Sequence, residues 1–447
     1  MKKNFGHIFF ALVFILNTSC NDFIDKKPVD QLTADELFAD VKNAETAVTA
    51  GYRTMESANY YGQAFIVIPE FAAAHLRHTA NYPEYLEYEE NRIRVDNPWS
   101  LNIWTAMYAT INAANTIIEK APGIPNATEA QKQQYVREAK FMRALTYFNL
   151  VRGWGDVPLV TSPTTSASQD VINVSRSSVA EVYTLIVEDL TDAVNLPVAY
   201  ASLEQTKGRA TQGAAKALLA KVYLYTGDYP KAASLAKEVI SSTYILSQDY
   251  PSIWVAENSS ESIFELQFDQ QATNSLVTAT TWNGTTLFFA KNTDLNLFEE
   301  GDKRRDFTIY QAKGNYYIGK YRNDNPATQN LPVIRLSEIY LIYAEAQARA
   351  TDTPAGEPFD YYKAIRSRAG LTTADVNAFD LDSFIKAVQR EKRIELMFEG
   401  EAWFDFTRTG LALTEMMKVS DPKRYLFPIP QSERNLNTQL SQNSAYQ

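Results

Sequence analysis

A chain of 447 residues with 45% hydrophobic and 12% aromatic side chains buries a sizeable core, as one large body or as two or three domains. Its formal net charge of −10 argues against a nucleic-acid surface, which needs a cationic face, and against electrostatic adhesion to anionic lipid. The single cysteine leaves no disulfide framework, so stability has to come from packing.

The chain opens with Lys2 and Lys3, an apolar run from Ile8 to Leu16, and small polar residues up to Cys20. This pattern predicts a secretory signal over residues 1–19, too short to span a bilayer. Cys20, at the processing point, then serves as the acceptor of a lipid anchor. Each buried methylene contributes about 0.8 kcal/mol, so several acyl chains hold a soluble body firmly. Leu16 and Asn17 depart from the usual spacing of such sites, and an ordinary secreted protein with an incidental Cys20 is the plainer alternative. Residues 20–32 form a polar tether, and a globular body follows over residues 33–447.

Within that body, Thr33…Glu36, Thr128…Gln131 and Ser178…Glu181 have the spacing of helix capping boxes. Phe141, Ala144, Leu145, Phe148 and Val151 form one helical stripe, which Gly153, Gly155 and Pro158 bring to an end. From Arg209 to Ile240, Ala220, Tyr223, Gly227, Tyr229 and Ala232 follow the spacing of a tetratricopeptide repeat. A unit of this kind cannot bury its apolar face alone. Expected partners are the helix around 137–152 with 178–195, and 334–350 with 359–369. Two stretches, near 60–99 and 269–330, lack amphipathic period, apart from short strands at Ile263–Asp269 and Asn315–Tyr321, the latter entered through Lys313-Gly314. Such segments on a helical frame are usual places for function.

Six blocks in order resemble the SusD/RagB family, nutrient-binding outer-membrane lipoproteins of Bacteroidota. They are Trp104–Ile118, Val136–Val160, Arg209–Ile240, Leu331–Ala346, Arg390–Gly410 and Tyr425–Tyr446. The resemblance implies an all-α fold of four tetratricopeptide-like helix pairs with a loop-rich ligand face and a few short strands. It also implies a SusC-like TonB-dependent transporter as partner, an oligosaccharide or polysaccharide ligand captured at the cell exterior, and no enzymatic activity. Capture of peptides by the same architecture, or a protein-binding scaffold, are the alternatives.

The charged run Arg390-Glu391-Lys392-Arg393…Glu395…Glu399…Glu401…Asp405…Arg408 offers paired carboxylates, as glycoside hydrolysis requires. Each has a guanidinium nearby in sequence, which lowers a carboxyl pKa where a general acid needs it raised. A structural ion network is therefore expected, with no catalytic residue. His75 and His78, with Glu70 or Glu84, are too few for a zinc set, so neither a metal nor another cofactor is expected. Sugar capture needs aromatic rings for the C–H face of a pyranose and polar groups for its hydroxyl rim. The irregular segments supply both: His75, Arg77, Asn81, Tyr82, Tyr85 and Trp99 in the first, and Trp282, Asn283 and Phe289 in the second. Trp282, in a Thr/Asn/Gly setting without helical period, is the leading candidate.

Overall fold

The computed structural model describes residues 34–78, 82–282, 286–322, 325–416 and 418–447. The signal, Cys20, the tether, Thr33, Asn81 and Asn283 lie outside the described residues.

Helix α1 (Val41–Met55) starts on Asp40, whose carboxylate accepts the Asn43 amide. Helix α2 (Ala64–Ala72), strand β1 (Leu76–His78) and helix α3 (Pro83–Glu89) occupy the stretch expected to be irregular. All nine residues of α2 are buried, so it has no polar face and no amphipathic period to display. Helix α4 (Pro98–Lys120) follows, and then the central helix α5 (Glu129–Trp154). Its capping box is made as the sequence predicts: Thr128 Oγ1 accepts the Gln131 amide at 3.2 Å, and Gln131 Oε1 accepts the Thr128 amide at 3.0 Å. It ends on Gly155 at φ 73°, where a Cβ would come within 2.8 Å of Leu426. Gly153 lies inside the helix rather than beyond it.

Helix α6 (Val179–Ala193) carries the second predicted box on Ser178 and Glu181. Helices α7 (Gln212–Thr226) and α8 (Tyr229–Ile240) turn about Gly227, which adopts φ 80°. The strands come next: β2 (Ser262–Leu266), β3 (Phe288–Ala290), β4 (Ile309–Ala312), β5 (Asn315–Ile318) and β6 (Leu331–Arg335). They form three antiparallel pairs, β1 with β3, β2 with β6, and β4 with β5. The last pair is a hairpin closed by Lys313 and Gly314, both at positive φ, as a two-residue turn requires. Helices α9 (Leu336–Thr351), α10 (Glu357–Arg368) and α11 (Leu381–Glu395) complete the frame, with α12 (Ala402–Thr409) packed on α2.

The principal helices pack in sequence order, α1 on α4, α4 on α5, α5 on α6, and onward through α7, α8 and α9 to α10. They form four pairs, α1/α4, α5/α6, α7/α8 and α9/α10, as expected for an all-α body. No described helix is long and apolar enough to cross a membrane.

The charged run on and after α11 is an ion network. Glu395, fully buried, meets Arg335 at 2.5 Å, Arg368 at 2.6 Å and Arg304 at 3.0 Å. Glu401 meets Arg152 at 2.7 Å and Lys221 at 2.9 Å, while Arg408 pairs with Glu345 at 2.9 Å. These pairs tie α5, α7, α9, α10 and α11 together.

Candidate functional site

The antiparallel pair β1/β3 divides the candidate residues between its two sides. Arg77 lies opposite Phe289 and His78 opposite Phe288. Because side chains alternate along a strand, Arg77 and Phe289 share one side and Phe288 the other.

On the first side, the Arg77 guanidinium lies 4.5 Å from the Phe289 ring centroid and donates to Asn315 Oδ1 at 2.6 Å. Phe289 packs on Tyr317 at 5.3 Å, and Tyr317 stacks on Tyr310 at 5.4 Å, so the hairpin β4/β5 is joined to the pair β1/β3. At the hairpin tip the Lys313 ammonium stands 4.4 Å from the centroid of Trp282. Trp282 is 46% exposed. An exposed indole of this kind, with an ammonium beside it, pairs an apolar ring with a hydroxyl partner, and the same hairpin carries the Asn315–Arg77 pair.

On the second side, Tyr85 is stacked between Phe71 at 5.0 Å and Trp99 at 4.9 Å, with Phe288 edge-on at 5.0 Å. Tyr82 reaches Tyr85 from outside and is 37% exposed; Trp99 is half-buried. The structure therefore brings Arg77, Phe289 and Trp282 together around the hairpin, and sets Tyr82, Tyr85 and Trp99 in a separate stack behind the strands.

Three expectations are corrected by burial. His75 is completely buried: its Nδ1 is 2.8 Å from Glu70 Oε2, and its Nε2 accepts from Arg393 Nε at 3.2 Å. The imidazole is thus consumed inside the frame, joining β1 to α2 and α11. Tyr85 is only 2% exposed, and burial pushes its hydroxyl far up, so it supports the stack instead of meeting a ligand. Phe289 is 8% exposed and acts as the floor under Arg77. The pairing of His75 and His78 on one helical face also falls away, because residues 76–78 are a strand. Among the described residues no group of three potential metal ligands occurs.

Lys313 and Asn315 were not singled out from the sequence. The Lys-Gly turn was visible, but nothing in the chain shows that its tip folds back on Trp282, which lies about thirty residues earlier.

The carboxylates of the charged run do not form an acid–base pair. Burial alone would raise Glu395, but Arg368, Arg335 and Arg304 outweigh it and hold its carboxyl well below the usual range. Glu401 is likewise pushed up by burial and pulled down further by Arg152 and Lys221, to about 2. A general acid needs the opposite environment.

This helix-pair frame, with its short antiparallel strand pairs, is the SusD superfamily fold. Residues 22–224 match the SusD-like family model described as starch-binding associating with outer membrane, and residues 284–424 match the SusD family model. The chain belongs to the SusD/RagB family, whose members bind glycans without catalysis. It is 24% identical to SusD-like protein P2 of Formosa agariphila, over 99% of each chain. A SusD superfamily protein from Parabacteroides distasonis superposes with a TM-score of 0.80 at 27% identity, covering 93% of this chain and 100% of that one. A laminarin-binding SusD-like protein superposes with a TM-score of 0.78 at 26% identity, covering 92% and 100%.

Proposed function

We propose that the protein captures an oligosaccharide or polysaccharide at the cell surface and acts as a lid on a SusC-like TonB-dependent transporter. The observation that carries the glycan reading is the exposed indole of Trp282 beside Lys313, on a hairpin whose Asn315 is bonded to Arg77. The ring offers a flat apolar platform, and the three polar groups offer hydrogen bonds to hydroxyls around it. Family membership and the laminarin-binding relative support the same reading.

In this account residues 1–19 are a signal, Cys20 carries the lipid, and residues 20–32 tether a single body that faces outward. Closure of the body over the transporter mouth holds the glycan between the two proteins. The family affiliation supports the partner and the membrane, and the signal pattern supports the anchor.

The test is affinity electrophoresis of the chain from Asn21 onward, which keeps every described residue, through gels containing single polysaccharides. Trp282→Ala runs alongside. Retardation by one polysaccharide, lost in the variant, is the expected result. Retardation that survives the substitution would place the site elsewhere.

A further inference from the structure

Away from Trp282, the segment after α3 faces the chain's C-terminal part across an open cleft of about 1020 Å³. Its twelve lining residues include four cations, Arg92, Arg94, Lys418 and Arg424, against two carboxylates, Glu90 and Asp96. A local positive excess is unexpected on a chain whose net charge is −10.

The cleft has a built wall. Asn91 Nδ2 donates to the Arg424 carbonyl at 3.2 Å, and Arg424 Nη1 returns a bond to the Asn91 carbonyl at 3.4 Å. The Gln431 amide is bonded to the Val95 carbonyl at 2.9 Å, which closes the far end. The Arg424 guanidinium also lies 5.5 Å from the centroid of the Tyr446 ring. Asn91 is 3% exposed, yet its Oδ1 has no hydrogen-bond partner among the described residues. A buried acceptor left in that state is costly, and a ligand hydroxyl is the kind of donor that would satisfy it.

The cations are available. Arg92 is exposed and its side chain makes no ion pair or hydrogen bond among the described residues. Arg94, 61% exposed, pairs with Glu87 at 2.8 Å and Asp96 at 3.5 Å, while Lys418, 43% exposed, turns to Glu89 and Glu90. Surface pairs of this kind hold together weakly, so a ligand anion can replace one carboxylate by another.

We infer that this cleft is a second binding site, for an anionic oligosaccharide bearing carboxylate or sulfate groups. Arg92 and Arg424 would take the anionic substituents, and the Asn91 amide and Tyr446 would take the neutral part of the sugar. The volume admits several sugar rings. That the ligand is a saccharide rests on the function proposed above; the charge preference rests on the cleft alone.

The experiment measures binding of the chain from Asn21 onward to polygalacturonate, dextran sulfate and uncharged dextran by affinity electrophoresis and isothermal titration. Arg92→Glu is compared with Lys363→Glu, an exposed cation on α10 outside the cleft, and with Trp282→Ala. The expected result is binding to at least one anionic polymer over dextran, weakened about tenfold or more by Arg92→Glu and little changed by Lys363→Glu. Preference for polygalacturonate would assign the anion as carboxylate, and preference for dextran sulfate as sulfate. Equal losses in the two charge reversals would mean diffuse electrostatics and would overturn the inference. So would binding to neither anionic polymer; if a neutral glycan still bound through Trp282, the proposed function would stand while the cleft assignment fell.

Discussion

Replacing Glu395 by Gln tests whether the ion network holds the frame together. Glu395 is fully buried and within 2.5 to 3.0 Å of three guanidiniums, those of Arg335, Arg368 and Arg304. The amide keeps the shape, but it removes the charge and turns an NH2 group toward cations. Arg304 keeps Asp302 at 2.8 Å and Glu391 at 2.6 Å, and Arg335 keeps Glu399 at 2.8 Å. Arg368 keeps Glu261 at 3.4 Å and the Ser247 carbonyl at 3.5 Å. Breaking one partner of a buried ion pair costs about 3–5 kcal/mol, and the residual pairs place this variant near the lower end, about 3 kcal/mol. The assay is equilibrium urea unfolding followed by circular dichroism, with Arg390→Gln as a control on an exposed member of the same run. A fall in midpoint at unchanged slope is expected for Glu395→Gln and almost none for the control. A loss below about 1 kcal/mol would refute the view that these charges lock the helices, since buried pairs that merely break even would then describe the network.

Acid should unlock the same region. Glu345, buried, and Glu401, with 14% of its side chain exposed, are both held at about 2; for Glu345 burial pushes upward while Arg408 pulls down harder. An unfolded Glu titrates near 4.3, so each contributes on the order of 3 kcal/mol that is fully present above about pH 5 and is lost as the pH falls toward 2. Urea midpoints measured from pH 6 down to pH 2.5 should decline through that window, and a flat profile would count against the assignment. Gly319→Ala should destabilise by more than about 2 kcal/mol, because its Cβ would stand 1.5 Å from the Phe307 carbonyl oxygen. A variant that unfolds at the wild-type urea concentration would show that the strand-to-loop path around β5 is not fixed as described.

The helix pairs were legible because amphipathic helices carry their burial pattern and their caps in local sequence. Thr128 with Gln131, Ser178 with Glu181, and Gly227 each have one physical use at that spacing, and each has it in the structure. Helix α2 was not legible, since a helix buried on every side shows no period. The helix expected from residue 334 begins at Leu336, because Leu331–Arg335 pairs as a strand with Ser262–Leu266. A propensity reading cannot see that distant partner.

The candidate site was legible in composition and not in geometry. The two irregular stretches supply aromatic and polar residues, but burial separates exposed side chains from supporting ones, and burial depends on contacts far apart in sequence. His75 is spent on Glu70 and Arg393, and Tyr85 on the stack between Phe71 and Trp99. Lys313 and Asn315 become part of the face only because the hairpin folds onto β1 and Trp282.

The most direct test of the central claim is a crystal structure of the protein with the oligosaccharide that retards it in affinity gels. The account predicts a sugar ring against the Trp282 indole, with hydroxyls in hydrogen-bond reach of Lys313, Asn315 or Arg77. A sugar bound elsewhere, with Trp282 untouched, would contradict it.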